Sequence, residues 1–219
     1  MPFDAAEDGP RPRLLLADRV KTRADSFLAP LIPALERRYE TRFVSLPPGD
    51  ALGQAIAWAD IVWLEWCWDH AVWATRSGAL GGRPAVLRLH SIEALQTDYP
   101  ARMDWSRVAR TIAVGPDIAD VLAARVRGLR IDTIPNGIDA SAWIRHSADA
   151  PAIRASLGLP PDAVVVGSVG RLEAQKRFDL LCEAFAALAS AHATAHLVIA
   201  GDGSRRPSLD AWRAAHPSL

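Results

Sequence analysis

Between Gly170 and Lys176 the chain reads GRLEAQK, and these residue types at this spacing could bind an anion. Gly170 lets the backbone pass close to a ligand, Arg171 offers a planar fork of donors, and Lys176 falls where a helical pattern begins. Two cations beside a helix N-terminus suit a diphosphate. No Ser, Thr, Asp or Asn between Leu172 and Arg177 can cap that helix, which leaves its first N–H groups for a bound anion. Lys occurs only at positions 21 and 176, the other basic residues being Arg, so composition does not readily supply a Lys here. The loop is neither G-x-G-x-x-G nor a Walker loop ending in Lys-Ser/Thr. From spacing alone, Arg171 and Lys176 therefore read equally as solvated surface charges.

Two elements must position this loop. Val164, Val165, Val166 and Val169 predict a strand buried on both faces, as in a parallel sheet. From Lys176 onward, Phe178, Leu181, Cys182, Phe185 and Leu188 share one face of a predicted helix. The 219-residue chain as a whole is ordinary for a globular protein, with 50% hydrophobic residues and a formal net charge of +0. No global field steers it toward nucleic acid or acidic lipid, so an anion must be met by locally placed cations. Cys67 and Cys182 are too few for a disulfide framework or a zinc site, and no other metal-ligand spacing is visible. The first ten residues read as a frayed tail without signal-peptide character, no stretch is apolar enough to span a membrane, and a cytoplasmic location is expected.

Along the chain, strands are predicted at 14–17, 41–46, 61–66, 85–90, 111–114 and 131–134, with helical patterns at 27–40, 51–58, 72–80 and 116–127. Residues 99–107 fit neither pattern cleanly. Such alternation implies an α/β protein with a parallel sheet covered on both faces. Pro135-Asn136-Gly137 ends this domain, predicted over 11–140, and 141–162 reads as a linker holding a short helix at 153–157. A second domain, 163–219, contains the loop above, a strand at 196–200 closed by Gly201-Asp202-Gly203, and a helix around 209–215.

The run IPNGIDASAW, then IRASLGLPPDAVVVGSVGRLEAQKRFDLLCEAF, then HLVIAGDGSRRPSLDAW resembles family 4 of the glycosyltransferases, retaining enzymes of the GT-B architecture. Asn-Gly-Ile-Asp after a strand, Leu-Gly before the second domain, Gly-Arg with four residues to Lys, and Gly-Asp-Gly after the next strand follow the family's order. The likeness is good from about Ile112 to Trp212 and only topological before that. It implies two Rossmann-like, doubly wound domains facing a cleft, the second incomplete here. It further implies transfer of a sugar from a nucleotide-diphosphate sugar to an acceptor hydroxyl, with no cofactor. Arg171 and Lys176 would hold the donor diphosphate, with Gly170, Asn136, Gly201 and Gly203 also on the donor side. Gly201 and Gly203 are read either as backbone contacts to the donor or as a tight turn only.

The resemblance puts a catalytic His at His90, ending the strand VLRLH, although a lone His at a strand end is as readily structural. Glu65, Trp66 and Glu93 are weaker candidates for the acceptor, a saccharide, a lipid-linked compound or a small molecule. The Trp-dense stretch Trp63, Trp66, Trp68 is read first as core or as contact with neighbouring elements. No glycine follows the first strand, where many family members carry a Gly-rich loop. The family's spaced pair of Glu residues is expected well after Gly203, and the chain ends before it, so a partial donor lobe without turnover of its own is expected. A non-catalytic nucleotide-sugar binder and a GT-B sugar-nucleotide epimerase are the alternatives. Donor turnover with transfer, binding without turnover, and interconversion of free sugar nucleotides distinguish the three.

Overall fold

Leu14 and Leu16 pack on one side of the first strand and Leu15 and Ala17 on the other, and all four are buried. A strand that buries both sets of alternating side chains must lie inside a sheet covered on both faces. The structure, a computed structural model, describes residues 9–138, 140 and 149–216. The first eight residues of the expected tail, Asp139 and residues 141–143 of the Asn-Gly run, and residues 141–148 of the expected linker lie outside the described residues. The chain forms two compact units, Met1–Asp139 and Ala140–Leu219.

The first unit holds strands β1 (Arg13–Asp18), β2 (Glu40–Ser45), β3 (Ile61–Glu65), β4 (Ala85–Leu89), β5 (Val108–Ala113) and β6 (Ile131–Thr133). They form one sheet in the order β2-β1-β3-β4-β5-β6, and every pairing is parallel. The order reverses between β1 and β3, so the crevice beyond the carboxyl ends of those strands is where a doubly wound sheet receives ligands. Helices α1 (Ile32–Leu35), α2 (Asp50–Trp58), α3 (Asp69–Arg76), α4 (Ser91–Gln96), α5 (Tyr99–Arg102) and α6 (Pro116–Arg125) connect them. Leu15, Val62, Leu64 and Leu87 pack with Leu52, Ile56, Val72 and Leu122 into the larger core, while Leu14, Leu16, Leu28 and Ile32 form the core on the opposite face.

The helix expected over 27–40 shrinks to Ile32–Leu35, because Pro30 and Pro33 remove backbone donors and confine the helical phase to one turn. The helix expected over 72–80 starts earlier, at Asp69, and ends at Arg76 ahead of Gly78, whose φ of 81° no continuing helix can take. Residues 99–107 resolve into α5 and a 3-10 turn, Trp105–Arg107.

In the second unit, β7 (Val164–Val169) and β8 (Ala195–Ala200) pair in parallel, joined through α8 (Phe178–Ala191); α7 (Ala150–Ser156) precedes them and α9 (Arg206–Ala215) follows. Arg154 Nη1 donates to Ala163 O at 2.8 Å, tying α7 to the start of β7. The strand is not buried on both faces as expected: Val164 is 59% and Val169 87% exposed. Among the described residues β7 pairs with β8 alone, so it is an edge strand of a two-stranded sheet rather than the interior strand that the valines predict. The apolar face of α8 buries Phe178, Cys182 and Phe185, while Leu181 is half-buried and Leu188 is exposed.

The loops after β7 and β8 are laced together. Gly170 N donates to Ala200 O at 3.0 Å, Leu172 N to Asp202 O at 2.8 Å, and Arg205 N to Leu172 O at 2.7 Å. Ser204 Oγ adds a 2.7 Å bond to Glu173 Oε2. A Cβ at Gly201 would lie 1.9 Å from Gly170 O, and one at Gly203 2.7 Å from Leu172 O, with φ at +154° and +152°. Both glycines are thus required for the close approach of the two loops.

Gly201→Ala should destabilise the second unit by on the order of 2 kcal/mol or more and accelerate amide exchange at Gly170, Leu172 and Arg205. Gly167→Ala, whose added Cβ meets nothing within 4 Å, serves as the control and should leave those amides protected. Equal exchange in the two variants would contradict the packing role.

A second expectation concerns His70, buried in the first turn of α3, where burial holds its pKa down to about 4 from 6.5, with Asp69 opposing and Arg19 reinforcing the shift. The unfolded chain takes up this proton first as pH falls. The His70 contribution is therefore fully present above about pH 6.5 and declines toward pH 4, by at most about 1.4 kcal/mol per pH unit. Urea unfolding between pH 7 and pH 4.5 should show a shallower loss of stability in His70→Gln than in the parent chain; identical slopes would contradict it.

Candidate functional site

Five of the donor-side residues, Gly170, Arg171, Lys176, Gly201 and Gly203, lie in or beside the laced loops of the second unit. Arg171 is exposed just after β7, and Lys176 is exposed at the end of a 3-10 turn, Ala174–Lys176. The helix expected from Lys176 begins two residues later. Lys176 N bonds to Glu173 O at 2.9 Å in the tighter turn, and Arg177, at φ 52° and ψ 42°, breaks the helical phase before Phe178. Arg177 sits at the N-cap of α8 without a side-chain cap bond, while the Asp179 carboxylate lies in the first turn, where backbone N–H bonds from Leu180 and from its own residue help to lower its pKa. The Arg177 guanidinium turns to Asp179, with Nε 3.1 Å from Oδ1. Glu173, held by Ser204 with its pKa lowered mainly by that bond, is a second carboxylate among these residues. Gly170 is half-buried, and Gly201 and Gly203 complete the same pair of loops. Asn136 is exposed just beyond β6, in the first unit.

In the first unit the carboxyl ends of β1, β3 and β4 carry a polar cluster at the switch point. Glu65 and Arg88 are direct partners across β3 and β4. Arg88 Nε donates to Glu65 Oε1 at 2.9 Å and to Oε2 at 3.1 Å, and both side chains are buried. Trp63 Nε1 adds a 3.0 Å bond to Glu65 Oε2, and His90 Nε2 lies 2.8 Å from Oε1. Glu93 accepts from Cys67 N at 2.9 Å and from His90 N at 3.5 Å, and burial raises its pKa. Nearby, Asp18 at the end of β1 accepts from Ser26 Oγ at 2.5 Å and Arg19 N at 2.6 Å, its pKa also raised by burial.

Aromatic rings cover this cluster. Trp66 occupies φ 72°, a region that costs a bulky side chain on the order of 1–3 kcal/mol. The turn lays its indole on His90, with centroids 3.9 Å apart and planes at 21°. Phe27 lies 5.0 Å from His90 and 5.7 Å from Trp66, and Trp68 is 5.3 Å from Trp66. Phe27 remains 49% exposed, so the stack ends at solvent. His90, Glu65, Trp66 and Glu93 thus come together, while Glu65 and Glu93 are fully buried and engaged with their own protein. Arg88, Asp18 and Phe27 were not among the sequence candidates. A signal for Arg88 was available: a charged residue amid the apolar run VLRLH needs a buried partner.

Among the described residues, no group of three or more His, Cys, Asp or Glu is arranged to hold a metal ion, and no helix is long and apolar enough to cross a membrane. Both cysteines are buried and unbridged, and burial pushes both thiols up in pKa.

Residues 149–217 match the family model of the glycosyl transferases group 1. A 75-residue stretch is 36% identical to the D-inositol 3-phosphate glycosyltransferase of Segniliparus rotundus, covering 34% of this chain and 16% of the relative. A 126-residue stretch is 32% identical to the glycogen synthase of Bordetella parapertussis, covering 48% and 24%. The chain thus spans a quarter or less of the length of these curated relatives. In fold it resembles the crystal structure of an α,α-trehalose-phosphate synthase (UDP-forming) from Burkholderia vietnamiensis. The TM-score is 0.57 at 12% identity, over 95% of this chain and 67% of that one. That likeness is one of architecture, the α/β fold of the GT-B class. The family-model match thus supports a glycosyltransferase group 1 domain within residues 149–217, and the two relatives are themselves glycosyl-transferring enzymes by name.

Proposed function

We propose that this chain carries donor-binding machinery of a retaining glycosyltransferase of family 4 type. The reaction moves a sugar from a nucleotide-diphosphate sugar to an acceptor hydroxyl in the cytoplasm. The observation that carries the reading is the loop from Gly170 to Arg177. It lies within the group 1 segment, presents Arg171 and Lys176 at the surface, and leads into a helix whose N-terminus has no side-chain cap. Negative charge grows on the leaving diphosphate as the glycosidic bond breaks. Cations fixed there act on the transition state more than on the ground state.

In this reading Gly201 and Gly203 hold the Gly170–Leu172 segment in place rather than touching the donor themselves. His90 and Trp66 are the first unit's contribution, with Glu65 and Glu93 supporting them from below. Asn136 stays with the donor-side residues by resemblance. An uncharged hydroxyl compound with an apolar ring face suits the Phe27–Trp66 surface as acceptor.

Arg171→Ala and Lys176→Ala should each weaken binding of UDP or GDP by about 1.5–3 kcal/mol if each makes a charge-assisted bond to phosphate, as read by calorimetry. Unchanged affinity in both would sink the donor assignment. His90→Ala should leave nucleotide binding nearly intact, because the diphosphate is assigned to the second unit. A matching loss of nucleotide affinity on His90→Ala would contradict this division of labour.

A further inference from the structure

Among the described residues, every group hydrogen-bonded to the Glu65 carboxylate can donate to it. Arg88 Nε reaches both oxygens, Trp63 Nε1 bonds to Oε2, and His90 Nε2 lies 2.8 Å from Oε1. Guanidinium and indole can only donate, so the Glu65 carboxylate meets both of them as an acceptor. The hydrogen shared with His90 then belongs to the ring. Nε2 carries it, and Nδ1 is left as the lone-pair nitrogen. The same bond sets the ring plane, which lies 21° from that of the Trp66 indole at 3.9 Å.

We propose that Glu65 is the positioning residue of the first unit. It fixes His90 as the Nε2–H tautomer and clamps the imidazole on Trp66, so that His90, Trp66 and Phe27 form one rigid wall at the carboxyl ends of β1, β3 and β4. This deepens the glycosyltransferase reading and rests on it for what the wall meets, a substrate ring or hydroxyl. The tautomer and the stack stand apart from it. Under this assignment His90 works as an oriented group, its Nε2 proton committed to Glu65 instead of being offered to substrate. Glu93 and His90 also form a capping box at the start of α4, which offers a competing way to hold the ring.

The test is a two-dimensional ¹⁵N–¹H correlation of the histidine rings in the full 219-residue chain at neutral pH, with His90→Gln identifying the His90 signals. The expected spectrum shows one tautomer, Nε2 at a pyrrole-type shift and Nδ1 at a pyridine-type shift. An Nδ1–H tautomer, or shifts averaged between the two, would overturn the proposal. Glu65→Met with Arg88→Met removes the buried charges together, which proteins commonly tolerate when the volume is kept. In that double variant the His90 shifts should move to tautomer-averaged values. A retained Nε2–H signature would assign the tautomer to the capping box and overturn the role of Glu65. Should the double variant not fold, the parent spectrum still decides. None of these readouts involves nucleotide, so failure here is distinguishable from failure of the donor assignment.

Discussion

The approach of Gly201 to the carbonyl of Gly170 is the constraint on which the second unit depends. There is no room between them for a Cβ, which would lie 1.9 Å from the oxygen. This closeness lets three backbone bonds and the Ser204–Glu173 pair lace the loop after β7 to the loop after β8. Without that lacing, the segment carrying Arg171 would be tethered at its ends alone. A cation that acts on a leaving group must be held where charge will develop, and orientation is worth more than proximity alone. Gly-Asp-Gly thus serves the proposed diphosphate loop at one remove, by making the two loops a single piece of backbone.

The first unit rests on a different device, the buried Glu65–Arg88 pair. Taking two charges out of water costs several kcal/mol per ion, repaid only where further donors complete the shell. Here the shell is nearly complete: Arg88, Trp63 and His90 surround the carboxylate, and the pair spans two neighbouring strands in register. Apolar residues of similar volume would serve stability as well. The charged pair instead fixes directions, for the His90 ring and for the strand ends around the switch point. Trp66 reflects the same trade, since its left-handed backbone is unfavourable and its stack on His90 is the return.

Much of this was legible in the residues. The βα alternation of the first unit follows from apolar runs such as Leu14–Ala17 and Ile61–Leu64, whose double-sided burial leaves few other folds. That a loop separates β7 from the following helix at Gly170–Lys176 was recognisable from residue types and spacing. What failed did so for identifiable reasons. Pro30 and Pro33 cut short a helix that periodicity alone extended, and Arg177 delayed another by turning into the left-handed region, to which sequence gives little clue. The valines of β7 look doubly buried because β-branched runs imply neighbours, but β8 is the strand's partner among the described residues and two of the four valines lie open. The Glu65–Arg88–His90 cluster was half visible. Glu65 and His90 were singled out as possible substrate contacts, whereas the register that sets Glu65 opposite Arg88 is a property of strand pairing and cannot be read from either strand alone.

The central claim is that the loop from Gly170 to the start of α8 receives a nucleotide diphosphate. Titrating the ¹⁵N-labelled chain with UDP or GDP while following backbone amides tests it most directly. The account predicts saturable shifts concentrated at Gly170, Arg171, Lys176, Arg177 and Phe178 and at the laced residues 201–205, with the amides of β1 to β6 undisturbed. Shifts confined to the first unit, or none anywhere at saturating nucleotide, would contradict it.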